Sequence, residues 1–219
     1  MGKGTPFTFR IPLVLLAVAN LAILAMRLRP WPEIATLPGN GNTGYDPVIC
    51  VLAYIGLLSL VGGIRAKGIQ KALSEGLKMG LLAGVLLIVL VLIDNHPGVR
   101  LYAEVQLGLL GVAIILWGIA GMRGAGHSGN ATIGIVSGAW SSMTACLMAC
   151  TVVLAKIDLK NPQLVTTDPW KQYQGLAIGN QSIQSLVHAL NMATAFLLIG
   201  PLVGIFVGLV FAMAAQRDS

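Results

Sequence analysis

A chain of 219 residues with 56% hydrophobic and only 10% charged residues differs sharply from a soluble domain, in which about 25% of residues are charged. At 22.9 kDa it has room for one compact unit and excludes a function carried by a large extramembrane domain. The net charge of +6 comes from Lys and Arg residues dispersed among apolar runs, which excludes nucleic acid as a partner. The composition therefore predicts an integral membrane protein surrounded by membrane lipid.

Six apolar runs are candidates for membrane spans, because a helix needs about 20 residues to cross a hydrocarbon core of about 30 Å. The first run is followed by Arg27 and Arg29 without a small-residue cleavage site, so we predict a retained span, not a cleaved signal. Backbone groups in lipid must be satisfied internally, which favours helices. We predict a single domain over residues 1–219, an all-α transmembrane bundle with spans at 9–26, 47–64, 77–94, 104–122, 131–155 and 193–215.

The distribution of Lys and Arg predicts that both termini are cytoplasmic. Eight basic residues would then lie inside and six outside, with a cluster between Arg65 and Lys78 in one short loop, where the positive-inside rule is strongest. We expect that loop to lie on an anionic membrane surface or to contact a cytoplasmic partner. The predicted location is an inner or plasma membrane.

Residues 176–191 are amphipathic at helical period, which predicts an interfacial helix before the last span. Its polar arc includes Gln184, His188 and Asn191. Two interpretations remain open: the arc faces water, or it lines the mouth of a solute path or a lipid head-group site.

Small residues recur at every fourth position in three spans, a pattern that predicts close helix packing in lipid. The three ridges are Gly76, Gly80 and Gly84; Gly134, Gly138, Ser142, Cys146 and Cys150; and Gly200, Gly204, Gly208 and Ala212. Either all three pack within one bundle, or one of them, with the last span favoured, faces another subunit.

Ionisable residues are missing from the middle of every predicted span, which argues against a transporter that depends on a buried carboxylate. Asn20 is the strongly polar residue deep in the first span and is either structural or a solute contact. Ser137 and His188 are predicted at opposite depths, so they do not form a catalytic dyad. We predict no catalytic residue, metal or cofactor, although His96 and His188 fall at a similar depth and leave open a haem with two histidine ligands.

These features favour a non-catalytic multi-pass protein over an enzyme. We expect it to be a subunit of a homo- or hetero-oligomeric membrane complex, with other membrane subunits or copies of itself as partners. The alternative is a small neutral-solute permease, or the substrate-binding membrane component of a transporter. Its solute contacts would be Asn20, Ser141, Thr144, Gln184, His188 and Asn191.

Overall fold

The structure is a computed structural model that describes residues 11–29, 45–62, 67–94, 103–156 and 181–217. Every regular element within these ranges is an α-helix, which confirms the predicted all-α class. In chain order the helices are α1 (Ile11–Leu28), α2 (Asp46–Gly62), α3 (Lys67–Asp94), α4 (Ala103–Ser128), α5 (Ala131–Lys156) and α6 (Gln181–Arg217).

Five helices in the described part of the chain, α1, α3, α4, α5 and α6, are long and apolar enough to cross a membrane. Helix α2 is also apolar but has only 17 residues, fewer than the usual length of about 20. The fold is therefore a helical membrane bundle. The sixth span and the cytoplasmic position of both termini stay predictions.

Helix α5 is the centre of the bundle, because α1, α3, α4 and α6 all pack against it. In its most apolar window 72% of the residues are buried, against 22% to 44% in the other four long helices. It is also the least apolar of the five, with a mean hydropathy of 1.5 in that window. Its polar side chains are thus covered by protein and not by lipid, as expected for a helix enclosed by its neighbours.

Helices α5 and α6 run antiparallel with their small residues in register. A methyl group added at Gly134 would lie 2.7 Å from the Cβ of Ala212, and one at Gly138 would lie 2.8 Å from the Cα of Gly208. One turn further up α5, Ser142 lies against Gly204, and a second turn up, Cys146 lies against Gly200. The ridge of the last span is therefore filled by α5 of the same chain, and the alternative in which it faces another subunit is wrong.

The ridge of α3 packs on a second side of α5. A methyl group at Gly76 would lie 2.7 Å from the Ser137 carbonyl oxygen, and one at Gly80 would lie 2.5 Å from that of Ser141. Gly84 follows the same course and faces the side chain of Met148. All three ridges that the sequence shows thus meet at the central helix.

Helix α4 adds a small-residue face that sequence analysis missed. Methyl groups at Gly121 and Gly124 would lie 2.7 Å from the Cα of Gly208 and from the Cβ of Ser137, respectively. The spacing of three along α4 differs from the four-residue repeat used to find the other ridges. The missed signal was the shorter interval, which also places residues on one helical face.

A two-residue turn joins α4 to α5 and makes them antiparallel. Gly129 has a φ of 67°, and its N–H donates to the Ala125 carbonyl at 2.7 Å, which ends α4 in a left-handed cap. The Asn130 Oδ1 then accepts from the Thr132 N–H at 2.9 Å and begins α5. We call the end of the bundle with this turn the lower end, and the end where α5 ends and α4 and α6 begin the upper end.

The prediction of a surface loop from Arg65 to Lys78 is wrong over residues 67–78. These residues form the first three turns of α3. Ile69, Leu73 and Leu77 recur at every fourth position and pack in the main apolar core. Basic residues between these positions lower the local hydropathy, so a search for long apolar runs places the start of this helix too late. Residues 65 and 66 lie outside the described residues.

The predicted interfacial helix is not separate from the last span, since α6 is continuous from Gln181 to Arg217. At about 1.5 Å per residue its 37 residues extend to about 55 Å, well beyond a hydrocarbon core of about 30 Å. One buried stripe crosses the expected break and keeps the helix in the bundle: Leu186, Leu190, Ala193 and Leu197. Residues 176–180 lie outside the described ranges.

Pro201 in the interior of α6 is accommodated by a tyrosine from α2. Proline has no N–H to donate to the carbonyl four residues earlier, which here is that of Leu197. The buried Tyr54 hydroxyl donates to this carbonyl at 2.7 Å. Tyr54 thus satisfies a backbone acceptor that lipid could not, and it ties the short helix α2 to α6.

We expect Tyr54→Phe to lower the free energy of unfolding by about 1–3 kcal/mol, because it leaves the Leu197 carbonyl without this donor. In a Pro201→Ala background the Ala N–H supplies the helical bond, so the same substitution should cost less. Reversible unfolding in mixed micelles measures both costs. Equal costs in the two backgrounds would contradict this account of the proline.

Candidate functional site

Asn20, one of the predicted solute contacts, lies fully buried between α1 and α5. Its Nδ2 donates to the Thr151 hydroxyl at 2.9 Å, to the Leu147 carbonyl at 3.1 Å and to the Leu16 carbonyl at 2.9 Å. The reversed amide orientation would place the oxygen against two carbonyl oxygens, so these contacts fix which atom is the nitrogen. Asn20 therefore joins α1 to the central helix.

Ser141 and Thr144 are fully buried on the side of α5 that faces α3. The Thr144 hydroxyl donates to the Trp140 carbonyl of its own helix at 2.8 Å. The backbone and Cβ of these residues lie against Gly80, which leaves no space for a solute between the two helices. The polar stripe of α5 is thus part of a helix interface.

Ser137 and His188 lie at opposite ends of the bundle, as predicted. The Ser137 hydroxyl donates to the Ala72 carbonyl of α3 at 2.8 Å, near the lower end. His188 and Asn191 are half-buried in the upper part of α6, and Gln184 precedes them in the first turn of that helix. His96, the other histidine of the haem alternative, lies outside the described residues.

Charged side chains connect helices at both ends of the bundle. At the lower end Glu75 of α3 accepts from Lys78 at 2.7 Å and from Arg123 of α4 at 3.3 Å. Arg123 lies in α4 because that helix continues to Ser128, past the predicted end of the span at residue 122. At the upper end Arg27 donates to the Ala155 carbonyl at 2.8 Å, so a cation meets the negative end of the α5 dipole.

The described residues also form a cavity of about 300 Å³ that sequence analysis did not predict. We call it the α4/α6 groove, because those two helices form its walls while α3 and α5 form its floor. The lining has no charged, amide or hydroxyl side chain and consists of Leu87, Leu110, Ile114, Trp117, Cys146, Met192, Ala195, Phe196, Ile199, Gly200 and Val203.

The α4/α6 groove results from the way the two helices meet. Their backbones come into close contact at Gly121 and Gly208, and Phe211 lies against Gly118. Every groove residue on α4 and α6 precedes these contacts and so lies towards the upper end. The groove is therefore closed below, and its exposed lining residues Leu110, Ala195 and Ile199 show that it opens on the side away from α5.

Of the predicted solute contacts whose side chains the structure describes, which are Asn20, Ser141, Thr144, His188 and Asn191, none lines this cavity. Asn20 lies at the α1–α5 interface, Ser141 and Thr144 lie at the α3–α5 interface, and the remaining three belong to the upper part of α6. The structure thus places Asn20 and the pair Ser141 and Thr144 at two separate interfaces, away from the three residues that recur along one side of α6. Among the described residues no group of three or more His, Cys, Asp or Glu side chains is placed to hold a metal ion.

Comparison with protein-family models, with curated proteins and with solved structures finds no match to this chain.

We expect the Asn20–Thr151 hydrogen bond to contribute to stability. Buried hydrogen bonds between membrane helices contribute about 0.6 kcal/mol on average and up to about 1.7 kcal/mol. A double-mutant cycle of Asn20→Leu and Thr151→Val, measured by unfolding in mixed micelles, should give a coupling energy in that range. Strictly additive losses would show that the contact does not hold α1 on α5.

Proposed function

We propose that this protein is a non-catalytic, multi-pass subunit of an oligomeric membrane complex, with helix α4 in contact with the partner. The observation that carries this proposal is a pair of glycines on α4, Gly108 and Gly111, that no other part of the described chain covers. A methyl group added at either position would have nothing within 4 Å.

The glycines of the predicted ridges provide the contrast; Gly126 is also uncovered, but it lies in the last turn of α4 at the lower end of the bundle. Those of the three predicted ridges all lie against a neighbouring helix of the same chain, so their lack of a side chain is explained by internal packing. Gly108 and Gly111 have no such explanation. Glycine lowers helix stability by about 1 kcal/mol relative to alanine, and in lipid its main use is to let another helix approach closely.

We call the surface around these glycines the open α4 face, formed by Leu107, Gly108, Gly111, Val112 and Ile115. Its three large side chains are 68%, 47% and 51% exposed. Exposed apolar side chains are expected on any helix in lipid and do not by themselves indicate a partner. Beside two uncovered glycines, however, they can pack around a second helix at close range.

The arrangement of the core also supports a structural subunit. Small residues bring three helices, α3, α4 and α6, into close contact with α5, and the buried amide and hydroxyl groups of Asn20, Ser137 and Thr144 bond to neighbouring backbone. Such a core resists the helix movements that alternating access requires. The permease alternative has less support, because Asn20, Ser141 and Thr144 are buried in packed interfaces and the described cavity is apolar.

The double variant Gly108→Leu with Gly111→Leu tests the proposal. We expect the monomer to fold, since both positions open into free space, and the oligomer to be lost, since leucines would hold the partner helix away. Light scattering after size-exclusion chromatography in mild detergent, together with crosslinking in native membranes, measures assembly.

Gly138→Leu is the matched control. Its side chain would meet the backbone of Gly204 and Gly208 at 2.7–2.8 Å, so it should prevent folding itself. A wild-type protein that is monomeric in detergent and crosslinks to nothing in its membrane would overturn the proposal. An oligomer that survives both leucines would remove the open α4 face as the interface.

A further inference from the structure

The α4/α6 groove lies at the depth of the hydrocarbon core. Trp117, Cys146 and Gly200 are close to the middle of α4, α5 and α6, each of which is long and apolar enough to span a membrane. Exposed side chains beside the groove, such as Leu198 and Leu202 at 53% and 65%, mark the surface that faces lipid. The opening of the groove is therefore towards acyl chains and not towards water.

The size and chemistry of the groove limit what can occupy it. A helix about 10 Å in diameter would place only two or three residues in a volume of 300 Å³, so a whole helix does not fit. An irregular peptide would carry unsatisfied backbone groups into an apolar site at membrane depth. An apolar protein cavity of about 150 Å³ holds benzene, so the groove has room for a hydrocarbon chain of about twelve carbons.

Polar side chains lie above the groove on the same helical faces that line it. On α6, His188 is one turn above Met192, and that face continues down through Ala195 and Ile199. On α4, Gln106 is one turn above Leu110. Going down the bundle, each wall of the groove thus changes from polar to apolar. A lipid has the same order, with its polar head group at the membrane surface and its chain in the core.

We propose that the α4/α6 groove is a binding site for one acyl chain of a membrane phospholipid from the upper leaflet. The chain enters beside His188 and Gln106 and runs down past Phe196 and Trp117. Its end stops above the contact of Gly121 with Gly208. Hydrocarbon there fills space that the splayed helices leave empty, and it covers the Trp117 ring.

Trp117 provides the readout, because its side chain is only 3% exposed and bulk lipid reaches it mainly through the groove. The probe is a vesicle of phosphatidylcholine with brominated acyl chains, in which bromine quenches indole fluorescence on close approach. The protein for this experiment carries Trp31→Phe, Trp140→Phe and Trp170→Phe, so that Trp117 is the remaining tryptophan. We expect its fluorescence to be strongly quenched.

Ala195→Phe should block the effect. Ala195 lines the groove and is exposed, so a phenyl ring there fills the groove without entering the core. We expect quenching of Trp117 to fall to less than about half, because a ring in the groove and an acyl chain cannot share the volume. Ala214→Phe makes the same change at another exposed alanine of α6 outside the groove and should leave quenching unaltered.

Native mass spectrometry provides a second measurement that keeps all the tryptophans, in case Trp140→Phe prevents folding. Wild type and Ala214→Phe should each retain a phospholipid that Ala195→Phe loses. Quenching and lipid retention that are the same in all three proteins would overturn the proposal. So would absent quenching with a crosslink from residue 195 to a second copy of the chain, since a protein side chain would then fill the groove.

The lipid site is independent of the proposed subunit interface. Gly108 lies on the opposite side of α4 from Leu110 and Trp117, so the single substitution Gly108→Leu should leave quenching of Trp117 unchanged. A wild-type protein that is monomeric but has a quenched Trp117 would therefore contradict the subunit proposal alone. A wild-type oligomer in which Trp117 is not quenched would contradict the lipid site alone.

Discussion

Close contact between α5 and its neighbours is the constraint on which the rest of this structure depends. In lipid there is no hydrophobic gain from burying apolar side chains between helices, so association relies on dispersion contacts and hydrogen bonds at short range. Glycines such as Gly80, Gly138 and Gly204 permit this approach, because a single added methyl group would overlap a neighbouring backbone or side chain. With α5 in contact with four helices, a clash on one side of it would disturb the positions of all the others.

The same closeness determines what the polar groups do. At such short range the amide of Asn20 reaches a hydroxyl and two carbonyls, and the hydroxyl of Ser137 reaches the backbone of α3. Tyr54 shows the principle most directly, since it donates to the carbonyl that Pro201 cannot serve. Each of these groups would be costly in hydrocarbon if it were left alone, and each instead joins two helices. Their chemistry is therefore used for architecture, which supports a structural role for the protein over transport of a neutral solute.

Two surfaces of α4 depart from this tight packing. On one side Gly108 and Gly111 are uncovered, and on another side α4 diverges from α6 and leaves the α4/α6 groove. A partner helix and an acyl chain are the respective occupants that fit the shape and chemistry of these surfaces. One helix would then contact the core, a neighbouring subunit and a lipid on three different sides.

The sequence by itself determined the class of the protein, the helical character of its apolar runs and the positions of three small-residue ridges, because hydropathy and residue spacing are local properties. It did not determine that α3 begins at Lys67 or that the helix predicted over residues 176–191 continues into the last span, since both depend on the bundle burying one side of these polar stretches. Nor could it show which helix fills the ridge of α6, or that the groove exists. Those features depend on which helices meet and at what height, and the register between distant segments is decided only when the whole bundle packs around α5.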